Sequence, residues 1–249
     1  MQTRTLIRML ASVVLCAAAC GEAPSDPAPR SHSGSEPVTT LPFYDEATFT
    51  PRWLDPASVT PERMHAIGDF SLTNQHGATV TRDDLSGRVY VVNFFFATCA
   101  GICRSMNRNM KRIQDAYAGA DDVALLSHSV TPDEDTPAVL ANYAREFECN
   151  EGQWHLLTGS KSEIYALGRE SYFIEQDAAK VGSDDAFIHS ENFVLVDGNG
   201  HLRGIYNGLN RVEVDQLIRD IALLRVEPSV VARRNVERSA LQEGLALRF

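Results

Sequence analysis

The sequence predicts an α/β fold: a mixed β-sheet flanked by helices and entered through an N-terminal hairpin. Three observations carry that prediction. Val89 to Phe96 is a dense β-branched and aromatic run, too short to cross a membrane, and reads as a central strand buried on both faces. After it, strand-like and helix-periodic segments alternate, the order that builds parallel crossovers. Near the C-terminal end, two short strands bracket Asp197-Gly198-Asn199-Gly200, a hairpin turn that adds an antiparallel arm.

The chain opens with Arg4 and Arg8 ahead of an apolar stretch, Met9 to Ala19, too short for a mature membrane helix. Residues 1–19 therefore read as an export signal. Ala17-Ala18-Ala19-Cys20 resembles a bacterial lipoprotein signal, in which cleavage precedes the cysteine that carries the lipid, with Ala17 where leucine is usual. An ordinary secretory signal cut near Ala19 is the alternative. Residues 20–42 hold the lipidated Cys20 and a Pro- and Ser-rich linker, with a reach of roughly 60–70 Å if fully extended. The expected location is the periplasmic face of a bacterial cell envelope, with the membrane reached through the lipid.

Residues 43–226 make up the domain. Its first part, 43–68, is irregular, with one helical turn expected over Pro61 to Ala66. Phe70 to Thr73 and Thr79 to Thr81 form a hairpin about Asn74-Gln75-His76-Gly77. After the central run, Cys103, Met106, Met110, Ile113 and Tyr117 recur at helical spacing, so a helix begins near Cys103. Val123 to Val130 is a second apolar strand. Thr136 is an N-cap with Pro137 at the first helical position, and that helix runs to about Glu148. Trp154 to Leu157 is a short strand, and Ser160 with Glu163 fits a capping box opening a helix to about Arg169. Tyr172-Phe173-Ile174 reads as strand-like, and Glu175 to Asp185 as a polar loop. Phe193 to Val196 and Leu202 to Tyr206 form the second hairpin. Asn210 and Glu213 open a last helix with Val214, Leu217, Ile218, Ile221 and Leu224 on one stripe, and 227–249 is an Arg-rich tail. This order, with two thiols after the first long central strand, is the thioredoxin-like arrangement.

The 249 residues include 23 basic and 33 acidic side chains, a net charge of −10 that argues against nucleic acid or an anionic lipid surface as a partner of the folded part. Removal of the signal with Arg4 and Arg8 leaves 21 basic residues and a charge of −12. Export places Cys99 and Cys103 where thiols tend to oxidise. Cys16 leaves with the signal and Cys20 takes the lipid, so Cys99, Cys103 and Cys149 remain, an odd number that excludes a full disulfide framework. Cys149 reads as a partly buried thiol.

Cys99 and Cys103 sit where a buried strand turns into a first helical turn. Unpaired N–H groups and a partial positive charge at that end favour thiolate, and the four-residue spacing lets the sulfurs converge. Such a pair can close a disulfide or bind a soft metal; two buried structural cysteines are the bland alternative. Thioredoxin-type oxidoreductases usually carry a cis-proline just before the strand facing the dithiol. Here no proline occurs between Pro137 and Pro228, and Ile188-His189-Ser190 occupies that place. An imidazole at His189 would face both sulfurs. Two thiolates and one imidazole suit Cu(I), or Cu(II) with a weak further ligand; zinc competes but usually takes four ligands in structural sites. His128 reads as a packed, hydrogen-bonded histidine, and Met106 and Met110 as core rather than copper thioethers. Asp133 and Asp135 read as loop and helix-start residues, His155 and His201 lack an evident partner, and Glu191 is placed to orient His189.

With these residues in view, the chain resembles the SCO/SenC family of copper proteins over roughly 64–224. The resemblance rests on Phe-Phe-Ala-Thr-Cys-Ala-Gly-Ile-Cys (95–103), Ser-Val-Thr-Pro-Asp-Glu-Asp-Thr-Pro (129–137), Leu-Leu-Thr-Gly (156–159) and Ile-His-Ser-Glu-Asn-Phe-Val-Leu-Val-Asp (188–197). It implies copper bound by Cys99, Cys103 and His189. It also implies delivery of copper to, or reduction of cysteines in, the dinuclear copper site in subunit II of cytochrome c oxidase or another cuproprotein. The sequence departs from the family where Arg104 replaces a common proline and where Ala100 follows the first cysteine. Neither is a ligand, and Arg104 is expected to lower the thiol pKa values. A thiol–disulfide oxidoreductase using Cys99 and Cys103 without stable metal is the alternative function, and a peroxidase of the same fold a more distant one.

Overall fold

The computed structural model describes residues 40–55, 64–174 and 190–227. Seven strands form one mixed sheet: β1 (Ser71–Asn74), β2 (Thr79–Thr81), β3 (Val89–Phe95), β4 (Val123–Ser129), β5 (Trp154–Thr158), β6 (Asn192–Val196) and β7 (Leu202–Asn207), in spatial order β2-β1-β5-β4-β3-β6-β7. β4 runs parallel to β3 and β5, while β6 is antiparallel to β3 and β7, and β1 to β5 and β2. β3 and β4, the two central parallel strands, are buried along their whole length, as their unbroken apolar runs require. Helices α1 (Ile102–Ala116), α2 (Pro137–Glu146) and α4 (Arg211–Val226) cover one face over Val91, Phe95, Leu125, Leu156 and Leu195. α3 (Lys161–Ala166) packs on the other, over Tyr90, Val92, Leu126 and Val194. Met106 and Met110 are core residues at 0% exposure. Among the described residues no helix is long and apolar enough to cross a membrane.

The caps act largely as the sequence predicts. Thr136 accepts from the Val139 N–H, Ser160 from the Glu163 N–H and Asn210 from the Val212 N–H. Glu163 departs from the capping-box expectation: its carboxylate accepts the Ser71 N–H at 2.8 Å, tying α3 to the first hairpin. Tyr172-Phe173-Ile174 is not a strand. The α3 helix continues as a wide turn over Leu167–Ser171, closed by Tyr172 N–H to Leu167 and Ile174 N–H to Gly168, and Phe173 sits at φ +53. Tyr172 is thereby folded under the sheet instead of being paired at its edge. Met64 to Ala66 is not helical, and the rest of that expected turn lies outside the described residues. So do the signal segment, the linker up to 39, the whole of 175–189 and the tail from 228.

Arg203, 1% exposed, fixes the entry to the domain. It donates to the carbonyls of Leu41 and Pro42, to Asp197 and to Glu227, and its guanidinium lies 3.9 Å from the centroid of the Phe43 ring. Burial alone would raise the Asp197 carboxyl, but the hydrogen bond from His201 and the charges of His201 and Arg203 hold it below the usual range.

His128 is packed, but not in the way the sequence suggests. On β4 it stacks on Phe94 at 5.1 Å and meets Phe70 and Tyr172, and neither ring nitrogen has a hydrogen-bond partner. Burial pushes its pKa down to about 3, so the folded state keeps it neutral while the unfolded chain charges it below about 6.5. The stability it permits is thus full above pH 6.5 and is lost as pH falls from there towards 3, a swing on the order of 4 kcal/mol. His128→Phe should raise stability at neutral pH by about 1–3 kcal/mol and flatten this acid dependence, as read by urea unfolding at stepped pH. An unchanged pH profile in the variant would show that other groups cause the acid sensitivity.

Candidate metal centre

The β3–α1 junction brings the two thiols together by a route different from the one the spacing suggests. β3 stops at Phe95, a turn runs to Gly101, and α1 starts at Ile102, so Cys103 lies in the first helical turn while Cys99 lies outside the helix. The helix has no side-chain N-cap. The Cys99 sulfur lies near that end, where the N–H groups of Cys103 and Gly101 and the Cys103 thiol act on it electrostatically. Cys99 is partly exposed, Cys103 is 5% exposed, and neither is in a disulfide.

This geometry divides the pair. Burial pushes the Cys99 thiol up, but the hydrogen bonds from the Cys103 thiol and the two N–H groups outweigh it and leave Cys99 below the ordinary thiol value. Cys103 is pushed up to about 12, by burial first, then by its hydrogen bond to Cys99 and the charge there. Only one of the two sulfurs is thiolate-prone, not both. Arg104 does not produce the effect: it pairs with Glu146 and lies over the Phe147 ring at 5.6 Å. Cys149 behaves as expected for a partly buried thiol, and burial pushes it up to about 12.

The turn is braced from behind by Asp135, which is 1% exposed. Its carboxylate accepts from the Ala97 N–H at 3.1 Å, the Ser129 hydroxyl at 2.6 Å and the Thr131 hydroxyl at 3.1 Å. The Cys99 N–H in turn donates to the Phe96 carbonyl. Sequence reasoning placed Asp135 at a helix start; its burial was the missing signal. Asn93, Asn107, Ser127, Tyr143 and Trp154 form a buried polar chain through the core, which no sequence motif marks.

Of the other expected site residues, His189 and Cys20 lie outside the described residues. Among the described residues no cluster of three or more metal-ligating side chains occurs. Glu191 is exposed and accepts from Asn207. His155 lies in β5, inside the sheet, with its Nδ1 3.4 Å from the Asn74 amide, and His201 is buried beside Asp197 and Phe43.

A dithiol at the end of a central strand, capping the next helix of a mixed sheet covered on both faces, defines a thioredoxin-like protein. Within that class the chain belongs to the SCO1/SenC family, whose model matches residues 58–224. The SCO1 protein homolog of Bacillus subtilis is 31% identical over 159 residues, covering 63% of this chain and 81% of the relative. The structure of BsSco, a member of the Sco family of cytochrome c oxidase assembly proteins in which a disulfide switch was identified, is 30% identical with a TM-score of 0.57, covering 66% and 95% of the two chains. Arabidopsis thaliana ScoI with copper bound is 25% identical with a TM-score of 0.50, covering 63% and 99%.

Because three donors converge on Asp135, removing them should loosen the cysteine turn. Asp135→Ala is expected to cost about 2–3 kcal/mol in urea unfolding, and Asp135→Asn, which keeps one acceptor oxygen, less. Equal losses in both variants would mean that charge, not hydrogen bonding, carries the brace.

Proposed function

We propose that the protein binds copper through Cys99, Cys103 and His189 and passes it to the dinuclear copper site of subunit II of a respiratory cytochrome c oxidase or to another cuproprotein. The observation that carries this reading is the unbridged, unequal thiol pair at the β3–α1 junction of an SCO1/SenC domain. Copper-bound ScoI and the assembly role named for BsSco support it. Two thiolates and an imidazole make a soft, low-coordinate donor set suited to Cu(I). Zinc fits less well, because Asp135, the buried carboxylate behind the turn, is committed to three donors and is not free as a fourth ligand. As cargo, Cu(I) moves by ligand exchange without a net change in oxidation state. Purified domain should bind one copper per chain and lose it once the thiols are alkylated. His189→Ala should weaken binding about a hundredfold, or ~3 kcal/mol, with dithiol redox activity retained. Unchanged copper affinity in that variant would sink the ligand set.

A thiol–disulfide oxidoreductase is the second reading, favoured by the exposed–buried asymmetry. The accessible Cys99 thiolate attacks a target disulfide and displaces one target thiolate. Cys103 then loses its proton to solvent and attacks the Cys99 sulfur, releasing the second target thiolate. Two electrons pass to the target and a Cys99–Cys103 disulfide remains.

We further infer that export and a lipid on Cys20 tether the domain to the periplasmic face of the membrane, on the strength of the signal-like residues 1–20. Cys20→Ala should move the chain from the membrane to the soluble fraction; retention in the membrane would remove the lipid from the account.

A further inference from the structure

Helix α1 turns a mixed face inward. Its buried side chains are Cys103, Met106, Asn107, Met110, Ile113 and Gln114. The methionines give little control over how the helix is rotated, because they re-pack around small shifts. The two amides give much more. Asn107 and Gln114 are both at 0% exposure and stand seven residues apart, two turns along one face.

Each amide is bonded at both ends. Asn107 Oδ1 accepts from Asn93 Nδ2 of β3 at 3.1 Å, and Asn107 Nδ2 donates to the Tyr143 hydroxyl of α2 at 2.9 Å. Asn93 is held in turn by the Ser127 hydroxyl of β4 at 2.6 Å, and Ser127 accepts from the Trp154 indole of β5 at 3.0 Å. Gln114 Oε1 accepts from the Asn150 N–H at 2.7 Å, and Gln114 Nε2 donates to the Glu148 carbonyl at 3.0 Å. Glu148 sits at φ +53, in the left-handed region where helices usually end on glycine. One amide thus ties α1 to the middle of the sheet, and the other ties it to the loop between α2 and β5. A slide or turn of the helix would break bonds at both points and leave buried polar groups without partners.

The sulfur pair depends on that rotation. Cys103 lies four residues before Asn107 on the same face, whereas Cys99 lies outside the helix, in the turn that Asp135 holds. The two sulfurs therefore sit on separately fixed pieces of chain. A rotation of α1 by about 20° would carry a sulfur at roughly 5 Å from the helix axis through roughly 2 Å, about the length of an S–S bond.

We propose that Asn107 and Gln114 are positioning residues for the sulfur pair, two buried amide pins that set the rotation and height of α1 and so hold Cys103 in register with Cys99. The inference rests on the reading of Cys99 and Cys103 as a working pair, and not on copper.

The test is metal-free and reads the equilibrium of the pair with glutathione. The reduced pair gives two electrons and two protons to glutathione disulfide, which forms the Cys99–Cys103 bond and releases two glutathione thiols. The purified protein is equilibrated over a range of glutathione ratios and its free thiols are trapped with a maleimide. Mass then separates the intramolecular disulfide from glutathione adducts, including those at Cys149. Asn107→Leu should disfavour closure about tenfold, a rise of about 30 mV in potential. Gln114→Leu, further from the sulfurs, should shift closure in the same direction by about threefold. Met110→Ala, which opens a cavity on the same face between the two amides, should lose stability in urea yet change closure less than about twofold. Closure at the parental level in both leucine variants would overturn the proposal. So would an equal shift in Met110→Ala, which would make ordinary core packing the cause. If Asn107→Leu does not fold, Gln114→Leu decides: a shift there upholds the proposal and none overturns it. A parent chain whose pair never closes would instead fail the thiol-pair reading, and loss of copper binding in His189→Ala bears only on the ligand set.

Discussion

Helix α1 begins with backbone N–H groups that no side chain caps, and the Cys99 sulfur lies close enough for them to lower its pKa. Ordinarily Ser, Thr, Asp or Asn would satisfy these groups, and an Ncap carboxylate or hydroxyl would compete with any thiolate for them. Here Gly101 occupies the Ncap and offers no oxygen of its own. The end of the helix is left to Cys99, and what surrounds the junction follows from keeping that end still. β3 is buried on both faces so that its last residue is fixed, Asp135 holds the Ala97 N–H in the turn, and Val130 donates across to the Phe95 carbonyl.

The same constraint makes the two sulfurs unlike. The partly exposed sulfur is held below the ordinary thiol value by the donors around it, while its buried neighbour is pushed up to about 12, by desolvation first. Disulfide closure needs the proton of the buried sulfur to leave. Under the proposed function, metal binding and redox chemistry would both draw on this one pair.

The strands and helices were legible because period and capping chemistry agree along the chain: β3, α1, β4, α2, β6, β7 and α4 fall within a few residues of their expected limits. The Cys99–Cys103 pair was legible for the same reason, as a break between a strand run and a helical stripe. What escaped depends on tertiary burial. Asp135 reads as one of several acids in a loop until the fold closes over it. Tyr172 has β-propensity but is drawn under the sheet by the wide turn before it, and Glu163 leaves its own helix cap for the Ser71 N–H. In each case a long-range partner outbids a local preference. His128 has the opposite history: it sits in an apolar strand and is treated by the fold as an aromatic ring, its nitrogens unpaired.

Asn93 and Asn107 were visible as anomalies and could have been read. A polar residue in the middle of Val89 to Phe96, and another on the apolar face of α1 between Met106 and Met110, are costly unless they meet. They do meet, at 3.1 Å. Apolar packing alone would not fix how α1 is rotated on the sheet, since methionine side chains re-pack around small shifts at little cost. A hydrogen bond between two buried amides tolerates no such shift. Since Cys103 precedes Asn107 by one turn, the amide pair that sets the rotation of the helix also sets where the buried sulfur points. Placing a polar chain through the core costs solvation energy, but what it returns is a thiol whose direction is fixed by geometry rather than by the average of a soft core.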